Sequence, residues 1–151
     1  MLAQYATARI GVVLVNINPA YRLAELEYAL NKAGCKAVIS APAFKTSAYL
    51  QMLQTLAPEL EHCAPGQLQA ARLPQLRAVV RMGDEPTPGM HNLGVLMAAV
   101  DAAAVAEARR IGRTLSCHEP INIQFTSGTT GHPKGACLLY TSDAADEEDS
   151  V

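Results

Sequence analysis

The chain has 151 residues, half of them apolar, and its 12 basic and 14 acidic side chains give a formal net charge of −2. This length and composition suit one globular core, and no apolar run approaches the roughly 18 residues that a membrane-spanning helix needs. Five of the acidic residues fall between positions 143 and 149, so the rest of the chain is mildly basic with its charge spread out, which does not indicate nucleic acid as a partner.

The N-terminal part of the chain shows a strand pattern followed by a helix pattern. Val12–Val15 is a short β-branched apolar run closed by Asn18 and Pro19, and this pattern favours a buried strand. A helix should follow, because apolar residues recur at helical spacing and Gly34 stands where a C-terminal glycine cap would end it. The recurring residues are Leu23, Leu26, Leu30 and Ala33.

The alternation of strand and helix patterns continues to residue 126. Further strands are predicted at Ala37–Ser40, Ala78–Met82 and Ile121–Thr126, and further helices at Thr46–Leu56 and Leu93–Arg110. Three leucines of the first of these helices should face the core: Leu50, Leu53 and Leu56. We therefore predict an α/β fold with a partial, mostly parallel sheet and flanking helices, in which ligands gather at the loops that follow the strands.

The segment 123–135 reads Ile-Gln-Phe-Thr-Ser-Gly-Thr-Thr-Gly-His-Pro-Lys-Gly and contains the residue types of a phosphate-binding loop. Gly128 and Gly131 can adopt positive φ and carry no Cβ, so the backbone can bring its N–H groups close to phosphate oxygens. Lys134 adds a compact positive charge with three hydrogen-bond donors, and Pro133 stiffens the exit of the loop. Rotatable hydroxyl donors come from Thr126, Ser127, Thr129 and Thr130. The segment therefore predicts a loop that binds the phosphates of a nucleotide.

Other interpretations of this segment fit less well. Counting from Gly128, a Walker-type loop would need a second glycine where Pro133 stands and a hydroxyl residue where Gly135 stands. The dinucleotide-binding pattern also fails, because no Gly-x-Gly precedes Gly131. Clusters of Gly, Ser and Thr are usually solvated loops, but the strand before this cluster and the Pro-Lys-Gly after it favour phosphate binding.

The loop resembles that of a known superfamily. Thr126–Gly135 matches, without a gap, the Thr-Ser-Gly-Thr-Thr-Gly-x-Pro-Lys-Gly loop of the adenylate-forming, or AMP-binding, enzymes, which include acyl-CoA synthetases, luciferases and peptide-synthetase adenylation domains. The resemblance is strongest to the medium-chain acyl-CoA synthetases and includes the earlier segments 11–21, 25–30, 36–40 and 73–80. It implies that residues 1–136 are a fragment of the large N-terminal AMP-binding domain. Residues 137–151 lie beyond it as a non-family acidic tail, which is expected to be disordered.

In this family a carboxylate attacks the α-phosphate of ATP, pyrophosphate leaves, and the thiol of coenzyme A captures the acyl adenylate. The resemblance implies a fragment of a fatty acid CoA ligase that uses ATP, Mg²⁺ and coenzyme A. It implies a catalytic role for Lys134 and Thr129. The nucleotide-binding residues that it implies are Thr126, Ser127, Gly128, Thr129, Thr130, Gly131, His132, Pro133 and Lys134, with His132 at a variable position. The family's adenine and Mg²⁺ motif, its ribose-binding aspartate and its C-terminal-domain lysine have no match in the chain, so the chain alone is expected to be inactive.

Two other functions stay open on the sequence alone. An inactive fragment could bind a homologue or another partner through unpaired sheet edges, or the chain could belong to an aryl- or amino-acid-activating enzyme, since the acyl pocket is not in it. The resemblance implies the mitochondrial matrix, although no transit peptide is visible, and the cytoplasm is the alternative. The four cysteines form no Cys-x-x-Cys pair and predict reduced thiols rather than a metal site.

Overall fold

A computed structural model describes residues 2–126 and 134–139. The helices are α1 (Leu2–Ala8), α2 (Leu23–Lys32), α3 (Tyr49–Leu56), α4 (Leu93–Ala98) and α5 (Ala102–Gly112), with a 3₁₀ turn at Pro58–Glu61. The strands are β1 (Leu14–Asn16), β2 (Ala37–Ser40), β3 (Ala78–Arg81), β4 (His91–Asn92), β5 (Pro120–Thr126) and β6 (Lys134–Leu139). The chain divides into two compact units, one formed by residues 17–100 and the other by the flanking segments 1–16 and 101–151.

The unit of residues 17–100 contains a parallel three-stranded sheet in the order β2-β3-β4. Val79 of β3 is fully buried and belongs to a core cluster with leucines of α2 and α3. The three leucines predicted to face inward from α3 are all buried: Leu50, Leu53 and Leu56. Because burying one leucine side chain contributes about 1.5 to 3 kcal/mol, this cluster is the main source of stability in the unit.

Helix α2 ends as its sequence predicts. The N–H of Gly34 donates to the carbonyl of Asn31 at 3.1 Å, and the N–H of Cys35 donates to the carbonyl of Leu30 at 3.0 Å. These two bonds form the Schellman arrangement that closes many helices. Gly34 has a φ of +62°, which glycine adopts without steric cost. The predicted glycine cap is confirmed.

The prediction of one helix over Leu93–Arg110 is wrong, because the structure has two helices there. Helix α4 ends at Ala98, and α5 begins at Ala102. Asp101 stands between them and caps α5, since its Oδ1 accepts a hydrogen bond from the N–H of Ala104 at 2.8 Å. An aspartate favours a helix N-terminus over a helix interior because its short side chain competes for backbone N–H groups.

Other boundaries differ by a few residues. Helix α3 begins at Tyr49 rather than at Thr46, because Phe44 and Ser47 exchange two backbone hydrogen bonds in a tight turn before it. Strand β1 is displaced by one to two residues from the predicted Val12–Val15. The pattern did not predict α1, β4, β6 or the 3₁₀ turn, since short elements carry little periodicity.

The second unit contains a three-stranded sheet in the order β1-β5-β6. Strand β1 runs parallel to β5, with Val15 opposite Ile123, and β6 runs antiparallel to β5. Three of the four pairings between the described strands are parallel, so the predicted α/β class is confirmed, with the strands in two sheets. None of the helices in the described ranges is both long and apolar enough to cross a membrane. The predicted disorder of the acidic tail concerns residues that lie almost entirely outside those ranges.

Candidate functional site

The predicted phosphate loop connects two paired strands. Strand β5 ends at Thr126 and β6 begins at Lys134, and these two residues are direct partners in the antiparallel register. Because the Cα atoms of such partners are about 4.5 to 5.5 Å apart, the two ends of the loop are held side by side. The remaining predicted residues lie outside the described residues: Ser127, Gly128, Thr129, Thr130, Gly131, His132 and Pro133. Their roles stay predictions.

One face of this hairpin, formed by β5 and β6, is packed by apolar side chains. Phe125 is the direct partner of Gly135, and Ile123 is the partner of Cys137. A Cβ atom at Gly135 would stand 3.3 Å from Cγ2 of Ile123 and 3.6 Å from Cε1 of Phe125. Because Gly135 has no side chain, both apolar groups can lie close against β6. The last glycine of the motif therefore has a packing role at the base of the hairpin.

The opposite face of the hairpin, here called the polar face, carries amide side chains. Asn122 and Gln124 share this face with Lys134, because side chains alternate along a strand and Lys134 pairs with the residue two positions beyond Gln124. Gln124 and Lys134 are exposed, whereas Asn122 is only 1% exposed. Strand β1 adds Asn16, which stands opposite Gln124.

The interior of the polar face holds a pair of asparagines. Nδ2 of Asn16 donates a long hydrogen bond of 3.5 Å to Oδ1 of Asn122. Nδ2 of Asn122 is buried and has no hydrogen-bond partner among the residues that the structure describes. A buried donor without a partner costs about 1 to 3 kcal/mol. The strand prediction missed this pair, although an amide between Ile121 and Ile123 was a signal for it.

Another buried polar group lies in the unit of residues 17–100. Arg81, the last residue of β3, is buried, and its Nη2 donates to Oε2 of Glu85 at 2.6 Å. Its Nε and Nη1 have no partner in the described part of the chain. The carboxyl end of a parallel strand is a common position for a ligand, but the carboxylate of Glu85 already neutralises this guanidinium. We therefore assign the ion pair to the end of the strand and not to a ligand.

Several titratable groups have shifted pKa values for structural reasons. A side-chain hydrogen bond from Arg72 lowers the pKa of Glu27, and a hydrogen bond from the N–H of Ala71 lowers the pKa of Glu59. Burial raises the pKa of the Cys35 thiol. None of these groups lies in β5 or β6, so none of them is assigned a proton-transfer role at the hairpin.

The described residues contain no group of three or more His, Cys, Asp or Glu side chains that could hold a metal ion. The four cysteines are free thiols, namely Cys35, Cys63, Cys117 and Cys137.

A family model matches a long segment of the chain that contains the hairpin. The family model for AMP-binding enzymes matches residues 1–142. The chain belongs to the AMP-binding enzyme family. This match extends six residues past the boundary that we infer at residue 136, and the exact end of the domain stays a prediction.

The curated relatives of the chain are named as acyl-CoA ligases or synthetases. The mitochondrial medium-chain acyl-CoA ligase ACSF2 is 49% identical in Mus musculus and 48% identical in Homo sapiens, each over 141 residues. The putative acyl-CoA synthetase YngI of Bacillus subtilis strain 168 is 34% identical over 140 residues. These alignments cover 93% of this chain, but only 23% of each ACSF2 protein and 26% of YngI. The chain therefore spans about a quarter of the length of the relatives it matches.

Solved structures share the fold of this chain. The anthranilate CoA ligase AuaEII in complex with anthranoyl-AMP matches with a TM-score of 0.57 and 20% identity, over 87% of this chain and 21% of that chain. The N-terminal domain of FACL13 from Mycobacterium tuberculosis matches with a TM-score of 0.53 and 22% identity, over 91% of this chain and 27% of that chain. At these identities the likeness establishes the fold alone, and it agrees with the predicted α/β architecture.

Proposed function

We propose that this chain provides the ATP-phosphate-binding hairpin of a medium-chain fatty acid CoA ligase. The observation that carries the proposal is the pairing of Thr126 with Lys134. This pairing closes the family's Thr-Ser-Gly-Thr-Thr-Gly-x-Pro-Lys-Gly motif into a loop and puts its lysine at the base of that loop. The identity of 46 to 49% with the ACSF2 proteins supports the substrate class.

In the proposed reaction a carboxylate oxygen of the fatty acid attacks the α-phosphorus of ATP, and the bond to the bridging oxygen of the leaving pyrophosphate breaks. Lys134, the hydroxyl of Thr129 and the N–H groups of the loop hold the β- and γ-phosphates in line and stabilise the negative charge that develops on pyrophosphate. The thiol of coenzyme A then loses its proton to solvent and its sulfur attacks the acyl carbon. The bond from that carbon to the phosphate oxygen breaks, and AMP leaves. Mg²⁺ would supply further charge neutralisation when it is bound with ATP.

We expect the 151-residue chain to make no acyl adenylate by itself. The reason is that the family's motifs for adenine, ribose and Mg²⁺ have no match in its sequence. The mitochondrial matrix is the proposed compartment, because the ACSF2 relatives are named as mitochondrial proteins. A fatty-acid-dependent exchange of labelled pyrophosphate into ATP, measured against a blank without protein, would contradict the expected inactivity.

A second candidate function is association with another protein through sheet edges. Strand β2 is an outer strand of its sheet, and Ile39 on this strand is 50% exposed. Unpaired strand edges with exposed apolar groups favour pairing with another chain. Light scattering over a range of concentrations tests this function, since a chain that stays monomeric at every concentration would exclude self-association.

The test of the main proposal is ATP binding by the purified chain, measured by titration calorimetry. Lys134→Ala should weaken binding about tenfold or more, because one hydrogen bond to a charged group is lost. Lys36→Ala is the matched control, since Lys36 is also exposed and immediately precedes a strand, and it should leave the affinity unchanged. Equal affinities for the unsubstituted chain and both variants would reject the assignment of the phosphate loop.

A further inference from the structure

The polar face of the hairpin carries a second exposed polar group beside Lys134. Gln124 pairs with Ala136, which is the second residue after Lys134 on β6. Diagonal neighbours of this kind lie about 7 to 8 Å apart and are within reach of one another's long side chains. Gln124, Lys134 and Ala136 are all exposed, and the small side chain of Ala136 leaves the amide of Gln124 uncovered. One ligand can therefore contact both Gln124 and Lys134.

We propose that Gln124 is a further nucleotide-binding residue, whose amide N–H groups donate to phosphate oxygens lying over the polar face. The inference rests on the proposed function, because it takes Lys134 as a phosphate-binding residue. Gln124 lies outside the Thr126–Gly135 motif, so the motif did not indicate it. A glutamine suits this position since its neutral amide supplies two donors without adding positive charge beside the lysine.

The composition of β5 supports a polar ligand on this face. Strands that are buried on both faces are usually apolar. One face of β5 carries the apolar residues Ile123 and Phe125, whereas the other face carries the amides Asn122 and Gln124. Asn122 is already buried, so of these two amides only that of Gln124 is open to a ligand. An apolar cover over Gln124 would remove its hydrogen bonds at a cost in free energy. A ligand that accepts hydrogen bonds avoids this cost.

Strand β1, the neighbour of β5, also carries an amide side chain on the polar face. Asn16 stands opposite Gln124 across the β1–β5 pairing and is only partly buried. Its Nδ2 donates a long hydrogen bond of 3.5 Å to Oδ1 of Asn122. The amides of Asn16 and Gln124 therefore form a short polar row next to Lys134.

The test is a charge series at position 124, with Gln124→Lys, Gln124→Glu and Gln124→Leu. Binding of ATP and of inorganic tripolyphosphate to the full chain is measured by titration calorimetry, and circular dichroism checks that each variant is folded. Cys137→Ser is the matched control, since Cys137 is exposed on the same hairpin but pairs with Ile123 on the opposite face.

For both probes, Gln124→Leu should weaken binding severalfold because the two amide donors are lost. Gln124→Glu should weaken binding about tenfold and Gln124→Lys should strengthen it severalfold, because they add charges of opposite sign beside the phosphate. A merely structural role would not move affinity in opposite directions for lysine and glutamate. Unchanged binding by the three variants, together with a loss in Lys134→Ala, overturns this inference and leaves the proposed function intact. Unchanged binding by Lys134→Ala, or no binding of either probe to the unsubstituted chain, overturns both.

Discussion

Replacing Gly89 with alanine should destabilise the unit of residues 17–100 strongly, because the backbone there allows no side chain. Gly89 has a φ of +67°, and a Cβ atom built on it would lie 2.8 Å from the carbonyl carbon and 2.9 Å from the Cα of Leu60. Leu60 is completely buried in the core, so it cannot move aside without opening that core. The clash involves backbone atoms and cannot be relieved by a change of rotamer.

The expected cost is the sum of two effects. The left-handed conformation costs an alanine about 1 to 2 kcal/mol, and displacing a packed segment costs about 1 to 3 kcal/mol more. Gly34→Ala is the matched control in the same unit, because Gly34 has a φ of +62° and no neighbouring atom within 4 Å of the added Cβ. That variant should show the conformational cost alone.

Urea unfolding followed by far-ultraviolet circular dichroism measures both variants against the unsubstituted chain. The free energy of unfolding should fall by about 2 to 5 kcal/mol for Gly89→Ala and by about 1 to 2 kcal/mol for Gly34→Ala. If the Gly89→Ala chain does not fold at all while the Gly34→Ala chain does, the prediction is also confirmed. If Gly89→Ala is no less stable than Gly34→Ala, the close approach of Gly89 to Leu60 is refuted.

Three further predictions concern charged and polar groups. Asn122→Asp should lower the urea midpoint at pH 7, and most of that loss should be recovered at pH 4. The reason is that a carboxyl at this buried position should have a raised pKa, so that the chain folds with the carboxyl neutral. Equal midpoints of the variant at both pH values would contradict this. Arg72→Ala should raise the pKa of Glu27 in an NMR titration, since the hydrogen bond from Arg72 lowers it. The pair therefore stabilises the fold above the unfolded-state pKa and ceases to do so as the pH falls through the folded-state pKa. Alkylation at pH 8 should modify Cys117 and Cys137 before Cys35, because burial raises the pKa of the Cys35 thiol. Mass spectrometry measures the order of labelling, and rapid labelling of Cys35 would refute its burial.

Sequence patterns predicted the elements whose signals are local. The predicted strand Ala37–Ser40 and the predicted glycine cap of α2 at Gly34 match the structure. Both signals, the periodicity and the glycine, are contained within one short segment. The end of α4 before Asp101 was not predicted, because the apolar pattern of α4 continues into α5. The start of α5 depends on the capping preference of one residue, Asp101. Two sheets could not be distinguished from one, since the pairing of β1 with β5 joins residues more than 100 positions apart.

For the candidate site, the composition of residues 126–135 predicts a phosphate loop, and that role stays a prediction. The structure shows that the two ends of this segment, Thr126 and Lys134, are direct strand partners. The polar face was not predictable in the same way, because it depends on the register that aligns Gln124 with Ala136 and Asn16 with Gln124. The pattern of a single strand reveals which of its side chains share a face, but the pairing register determines which side chains of the facing strand lie beside them.

Under the proposed function, the hairpin would fix the ends of the phosphate loop without the helix that follows a Walker-type loop. In a Walker-type loop the N–H groups at a helix N-terminus fix one end of the loop. In this chain the direct pairing of Thr126 with Lys134 fixes both ends of the loop. The entropy cost of bringing these ends together is therefore met when the chain folds and not when a ligand binds. This preorganisation depends on residues that no phosphate touches, because the packing of Phe125 and Ile123 against Gly135 keeps β6 aligned with β5. The strength of phosphate binding should therefore depend on the apolar face of the hairpin as well as on the donors of its loop.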